Sequence, residues 1–322
     1  MKPLISAFNS LKTKAKSLNS NPYQLAMTAR RQAAQLKNLC PTKIEGVILD
    51  WSGTTADAHV IAPAVVFEEV FAKHKVPISN EEARKPMGLR KDLHITKILE
   101  IPEVQARWLE VKGRPSTPDD VNALFADFVP MQLEVLPRYS TLIPGTVTAV
   151  ELLRSLGIKI GSTTGFTKDM VDILLTEARK QGYVPDSSVA GDEVLHGARP
   201  TPHMIYKNMD NLGIHLPGAI VKVGDTLGDV GEGLSAGAWT VGIWGLSNYT
   251  GIKSLEHLAS LSTFELEKRQ EHSRAILSQS GAHYLIKEIS ELPSVVNMIN
   301  LRIEKGETPT TELIKKQGGL KL

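Results

Sequence analysis

One cysteine, Cys40, stands in 322 residues. A single thiol cannot build a disulfide framework or a structural zinc site of several cysteines, so both are excluded. Long apolar runs are missing as well, and none approaches the roughly twenty residues that a membrane-spanning helix needs. There is no internal repeat and no low-complexity tract. Acidic residues are absent from the start of the chain: none precedes Glu45, whereas Lys2, Lys12, Lys14, Lys16, Arg30, Arg31, Lys37 and Lys43 all lie there. From Glu45 onward 29 basic residues face 35 acidic ones. That net charge of −6 leaves the main body without the basic surplus of a nucleic-acid-binding surface.

Within the leader, residues 1–42, Leu4, Phe8, Leu11, Ala15 and Leu18 recur at helical spacing, with lysines between them. A basic, Ser-containing, acid-free amphipathic stretch matches an organellar transit peptide, and the expectation is a mitochondrial protein. The competing reading is a solvated N-terminal helix of a cytoplasmic protein. The mature N-terminus in the cell distinguishes the two.

Residues 46–57 read GVILDWSGTTAD. The apolar run Val47-Ile48-Leu49 stops at Asp50, and a small residue, a glycine and two threonines follow. The pattern predicts a buried strand that delivers a carboxylate to the rim of a sheet, then a tight turn. Between residues 60 and 140 strand signals nearly vanish. Helical stripes appear at 62–75, within 80–100 on either side of a break at Pro86-Met87-Gly88, at 102–113, and at 117–136 behind a Thr117-Pro118-Asp119-Asp120 start. From Pro144 helices alternate with the short strands IKIGSTTG, Ser188-Val189-Ala190, AIVKVGDT and WTVGIWG. That alternation predicts a doubly wound, Rossmann-like α/β core built on a parallel sheet, with the helical stretch inserted as a cap after the first strand. The expected boundaries are 43–58 and 140–292 for the core, 59–139 for the cap, and 293–322 for a C-terminal extension.

Ligands of open α/β sheets sit beyond the carboxyl ends of the strands. Four such ends or the segments after them carry polar groups: Asp50-Trp51-Ser52-Gly53-Thr54, Ser162-Thr163-Thr164-Gly165, Gly197-Ala198-Arg199-Pro200 and Gly224-Asp225-Thr226-Leu227-Gly228-Asp229. They supply carboxylates, a hydroxyl and a fixed cation, an inventory that can hold a phosphoryl group and a hard cation such as Mg²⁺. Singly, each has an ordinary structural reading. Asp50 can end a strand, Thr164 can make a turn, Arg199 can lie on the surface, and Asp229 can cap a helix. Their order and joint occurrence carry the inference.

These stretches resemble the haloacid dehalogenase superfamily and, within it, the phosphonoacetaldehyde hydrolase (phosphonatase) family. The resemblance runs from about residue 44 to about residue 292 on LDWSGTTAD, EEARKPMGLRKDLH, LPRYSTLIPG, IKIGSTTGFT and KVGDTLGD. It implies a Mg²⁺-dependent hydrolase that cleaves the carbon–phosphorus bond of a small phosphonate, releasing acetaldehyde and phosphate. Asp50 would attack phosphorus, and Lys91, rather than Lys85, would form a Schiff base with the aldehyde. His94, three residues on, would assist proton transfer. Thr164 and Arg199 would bind the phosphoryl oxygens, and Gly88 and Met87 would line the cap side. Mg²⁺ would be held by Asp50, the carbonyl of Ser52 and Asp225, with Asp229 close by. A lysine that forms an imine must be largely neutral, and Arg90 or His94 is the expected neighbour, beside burial, that lowers its pKa.

The superfamily usually carries a general-acid Asp where this chain has Ser52. A phosphate ester needs that acid for its alkoxide leaving group, whereas a carbon leaving group needs an electron sink instead. The motifs are also compatible with a phosphatase or phosphomutase acting on a small phosphate ester, and with a non-catalytic binding protein on the same fold. Two departures from the family are Phe166, where Tyr is common, and Val60, where Cys is common. The resemblance further implies a homodimer joined through the cap, with no nucleic-acid or membrane partner.

Overall fold

The computed structural model describes residues 41–310, so the basic leader lies outside the described residues. The first strand, β1 (Gly46–Leu49), is followed by five cap helices: α1 (Ile61–Lys73), α2 (Asn80–Arg84), α3 (Lys91–Leu99), α4 (Pro102–Lys112) and α5 (Pro118–Val135). The core then resumes with α6 (Thr146–Ser155), β2 (Lys159–Thr163), α7 (Lys168–Lys180), β3 (Ser187–Val189), α8 (His203–Leu212), β4 (Ile220–Gly224), α9 (Leu227–Ala236), β5 (Trp239–Ile243), α10 (Leu255–Ser260), α11 (Thr263–Ser278), β6 (Tyr284–Ile286) and α12 (Leu292–Glu304).

All six strands pair in parallel in the order β3-β2-β1-β4-β5-β6. The chain steps outward from β1 in one direction through β2 and β3, and then in the other through β4, β5 and β6. Beside β1 the order reverses, and a crevice opens there at the carboxyl ends of the strands. Alternation along β1 explains why its run is apolar on both faces. Ile48 packs with Ile205, Met209 and Ile220 on one side, while Val47 and Leu49 join the larger cluster on the other.

Among the described residues, 59–139 hold helices and no named strand. Helix α5 starts where the sequence places it: Thr117 and Asp120 form a capping box, and Pro118 follows at the first helical position. The break at 86–88 leaves α2 and α3 as separate helices. The cap's interior is continuous with the large cluster below it, through Phe67, Phe71, Trp108, Leu124 and Phe128. Helix α12 buries Val295, Val296, Ile299 and Ile303, so packing with the core continues well past residue 292. Helices α10 and α11 carry no strong sequence signal. Only Gln270, Ser273 and Leu277 of α11 are buried, a stripe too narrow and too polar to register as amphipathic.

Phe128 is fully buried and stacks on Phe67 with ring centroids 4.4 Å apart. Truncating it removes most of a ring from the junction of α1 and α5 and leaves a cavity. Phe128→Ala is expected to lower unfolding stability by about 3–5 kcal/mol, read as a shift in the urea midpoint at unchanged slope.

Candidate active site

The turn after β1 is held by its own backbone. The Trp51 carbonyl accepts from the amides of Thr54, Thr55 and Ala56, and the Thr55 hydroxyl donates to the Asp50 carbonyl at 2.9 Å. Gly53 has φ +80°, and a Cβ there would lie 2.5 Å from Asp225 Oδ2. Only glycine both adopts this backbone and lets the turn approach the end of β4. Asp50 is thereby fixed beside the carboxylates that follow β4.

Asp50, Asp225 and Asp229 each offer an oxygen within 4.8 Å of the others. Arg199 reaches into the same cluster. Its Nη2 donates to Asp50 Oδ1 at 2.6 Å and to the Thr163 carbonyl at 2.7 Å, and it lies 3.0 Å from Asp229 Oδ1. Its Nε donates to Glu232 Oε2 at 3.0 Å. Lys222, which sequence reasoning missed, stands behind: its Nζ is 2.8 Å from Asp229 Oδ1 and donates to the Thr163 hydroxyl at 2.9 Å. A lysine inside the apolar strand AIVKVG, where burial is costly unless paired, is the signal that points to it. Glu232 was missed too, one helical turn beyond Asp229.

Burial raises Asp50, and Arg199 opposes that rise. Burial also acts to raise Asp229, but Arg199 and Lys222 outweigh it and hold the carboxyl below its usual range. Asp229 closes the capping box of α9 with Thr226 as well, so its helix-capping and cluster roles coexist. Asp225 is different. Its Oδ2 accepts from the Asn248 amide at 2.7 Å, while its buried Oδ1 has no hydrogen-bond partner. Burial, then Asp50 and Asp229, push it well above the usual carboxylate range. Four buried carboxylates thus face two fixed cations, Arg199 and Lys222. More carboxylates than fixed cations, an orphaned carboxylate oxygen and an all-oxygen donor set fit a divalent cation.

The cap supplies the opposite wall. Lys91 begins α3 and is buried, whereas Lys85 is exposed, which separates the two candidate lysines. Burial is the main cause that brings the Lys91 ammonium down to about 7; Asp50 opposes it and Arg199 adds to it. The expected helpers play smaller parts. Arg90 turns toward Asp92 in a two-point pair of 2.7 and 2.6 Å, partly exposed. His94 does share a face with Lys91, but it lies beneath it, stacked on Phe67 at 4.0 Å and donating from Nε2 to the Ala83 carbonyl. Burial and then Lys91 hold it neutral, far below its usual range. Phe166, the departure from Tyr, covers the amine with its centroid 4.5 Å from Nζ. Val60, the departure from Cys, packs with Ala64 and Met87.

Of the ten residues singled out from the sequence, Asp50, Ser52, Met87, Gly88, Lys91, Thr164, Arg199 and Asp225 border one cavity; His94 and Asp229 stand just outside its wall. The cavity measures about 20 Å³, room for about one water. Cap and core are pressed together around it. A Cβ on Gly88 would strike the Thr226 hydroxyl, and one on Gly165 would strike the Leu89 carbonyl. The space left between Lys91 and Asp50 in this arrangement is small because cap and core meet at short range around it.

Residues 44–237 match the haloacid dehalogenase-like hydrolase family. The phosphonoacetaldehyde hydrolase of Bacillus cytotoxicus is 44% identical over 80% of this chain and 97% of its own length. The chain belongs to the phosphonoacetaldehyde hydrolase family. The crystal structure of a phosphonoacetaldehyde hydrolase-like protein from Oleispira antarctica is 36% identical, with a TM-score of 0.80 over 84% of this chain and 98% of that one. A β-phosphoglucomutase from Clostridium difficile, 15% identical with a TM-score of 0.57 over 81% of this chain and 99% of that one, shares the fold alone.

A divalent cation at the three aspartates favours their ionised forms, against the burial that raises Asp225. Binding therefore releases a proton, and affinity falls as pH falls. Calorimetric titration with a divalent cation in buffers of different ionisation enthalpy should report that release. Asp225→Asn should remove it and weaken binding by at least about tenfold.

Proposed function

We propose that this chain hydrolyses the carbon–phosphorus bond of phosphonoacetaldehyde to acetaldehyde and phosphate. The observation that carries the reading is one closed cavity with a largely neutral lysine on its cap side and a carboxylate nucleophile on its core side. The unprotonated fraction of Lys91 adds to the aldehyde carbon and, with loss of water, forms an imine. Once protonated, the imine withdraws electrons from the adjacent carbon. An Asp50 oxygen attacks phosphorus, the carbon–phosphorus pair moves into the enamine, and an aspartyl-phosphate forms. Water cleaves that acyl phosphate to phosphate. The enamine takes a proton at carbon, and water releases acetaldehyde and restores Lys91. One water is consumed overall.

Arg199, fixed between Asp50 and Glu232, is suited to meet the phosphonate oxygens along with Thr164. The cation is proposed to be Mg²⁺, held by Asp50, the Ser52 carbonyl and Asp225, with Asp229 nearby. When bound, Mg²⁺ supplies positive charge against the phosphonate oxygens and the carboxylates. His94 acts on Lys91 from below, as a neutral base within the cap. No carboxylic acid at position 52 is needed, because the electron sink serves the carbon leaving group.

The chain is proposed to form a homodimer through the cap, where Leu109 and Val111 of α4 stand exposed. Light scattering at micromolar concentration should return twice the chain mass, and a monomer mass would end the idea. The leader is proposed to direct the protein to mitochondria.

Borohydride reduction in the presence of acetaldehyde should inactivate the protein and place a two-carbon adduct on the peptide with Lys91, not on that with Lys85. Lys91→Arg keeps the charge but forms no imine. It should fold, bind Mg²⁺ and lose at least about a thousandfold in kcat, a loss of roughly 4 kcal/mol. Near wild-type turnover would remove the Schiff base. Faster phosphate release from p-nitrophenyl phosphate than from phosphonoacetaldehyde would favour the ester phosphatase instead.

A further inference from the structure

Arg84, the last residue of α2, is buried, yet among the described residues it forms no ion pair. Its donors all go to neutral oxygens. Nε donates to Asn80 Oδ1 at 2.7 Å, Nη1 to the His59 carbonyl at 2.8 Å and to Asn248 Oδ1 at 3.1 Å, and Nη2 to the Ile252 carbonyl. Asn248 returns a bond from Nδ2 to the Arg84 carbonyl at 3.2 Å. A buried guanidinium without a carboxylate is costly unless its geometry does something a neutral residue cannot.

What it joins is informative. His59 lies in the crossing from core to cap, where Asp57, His59 and Val60 all have positive φ, at 47°, 69° and 55°. These left-handed conformations are strained for residues that are not glycine, above all for the β-branched Val60. Asn248 and Ile252 belong to the core loop after β5. In that loop the Asn248 amide holds Asp225 Oδ2, and the Ser247 hydroxyl donates to the Asp225 carbonyl at 2.9 Å. On the other side, Arg84 runs directly into Met87, Gly88 and Lys91. One side chain therefore ties the strained crossing, the loop that orients Asp225, and the segment that carries the cap wall of the cavity.

We propose that Arg84 is a positioning residue that locks the closed cap, so that Lys91 and Asp225 come into register together. The proposal rests on the reading of Lys91 and Asp50 as partners in one reaction. A planar fork with several fixed donors can hold oxygens of the crossing and of the core loop at once, whereas a single ammonium cannot. Arg84→Lys therefore does not restore the lock. Arg84→Met removes it, and Asn248→Ala weakens it from the core side while leaving the guanidinium in place.

The test is hydrogen exchange on the metal-free full-length chain, which needs no activity, together with steady-state kinetics. Arg84→Met and Arg84→Lys should speed exchange in 57–62, 85–91 and 246–252 while leaving β1, β2 and β4 as protected as in the wild type. Asn248→Ala should give the same pattern, more weakly. For turnover of phosphonoacetaldehyde, kcat should fall about a hundredfold, as expected when reacting groups lose register, with KM changed much less. Exchange in those three segments unchanged from wild type would overturn the proposal. So would exchange raised evenly through the whole chain, which marks a merely structural role, or a kcat within twofold of wild type. A wild-type chain inactive on phosphonoacetaldehyde would count against the proposed reaction, and the exchange pattern would still decide the lock.

Discussion

Arg199 against Asp50 is the contact on which the other parts depend. A guanidinium with almost no exposed surface touches the Asp50 carboxylate and two further acids, and Lys222 doubles the positive charge behind it. Ion pairs this deep give up their hydration and are retained only where geometry offsets the loss. Here that geometry is imposed by the sheet. β1 and β4 are neighbours in parallel, so Asp50 and Asp225 emerge from adjacent strand ends at nearly the same level. The loop carrying Arg199 then closes over them from the far side of β2. The cluster remains short of positive charge even so. Burial, and then Asp50 and Asp229, raise Asp225, and a divalent cation is the natural complement.

The cap follows from the same logic, with the sign reversed. An ammonium placed near Arg199 and covered by Phe166 and Phe67 loses more from desolvation than Asp50 returns. The outcome is an amine with a pKa brought near neutrality in the cavity that Asp50 also borders. The two halves of the site come from different parts of the fold: the carboxylates belong to the sheet and the amine to the inserted helices. Their meeting depends on crossings such as Gly88 against Thr226, and on the ties that Arg84 makes between the two.

Much of this arrangement is legible in the sequence. The strands of the sheet, the HYLI piece at β6 included, announce themselves by short apolar runs, and the inserted helices by their spacing and by caps such as Thr117-Pro118. What the sequence hides has physical causes. Lys222 and Glu232 sit in segments whose pattern is that of ordinary core, and only the third dimension brings them to Thr163 and Arg199. The lowered Lys91 pKa is expected from the sequence, but its source there is partly mistaken, because neighbours in the chain stand in for neighbours in space. Arg90 is two residues from Asp92 and turned toward it, while the cation that matters comes from residue 199. His94 lies on the expected helical face, but periodicity cannot tell a residue lining a cavity from one packed below it. The helices at 255–260 and 263–278 go unread because they bury too little to leave a stripe.

Ser52 and Phe166 belong together. Each is a place where a proton donor common in related chains is missing, and both border the cavity that holds Lys91. An acid at 52 would bring a further charge to a cluster that already lacks compensation, and a carbon leaving group would gain nothing from it. The ring over Lys91 presents only carbon to the amine, with its centroid 4.5 Å from Nζ. Removing both leaves the proposed chemistry with one electron sink, one nucleophile and one fixed cation. On the proposed route, proton traffic then falls to Lys91 itself and to water. The cavity is small because the groups of cap and core meet across it.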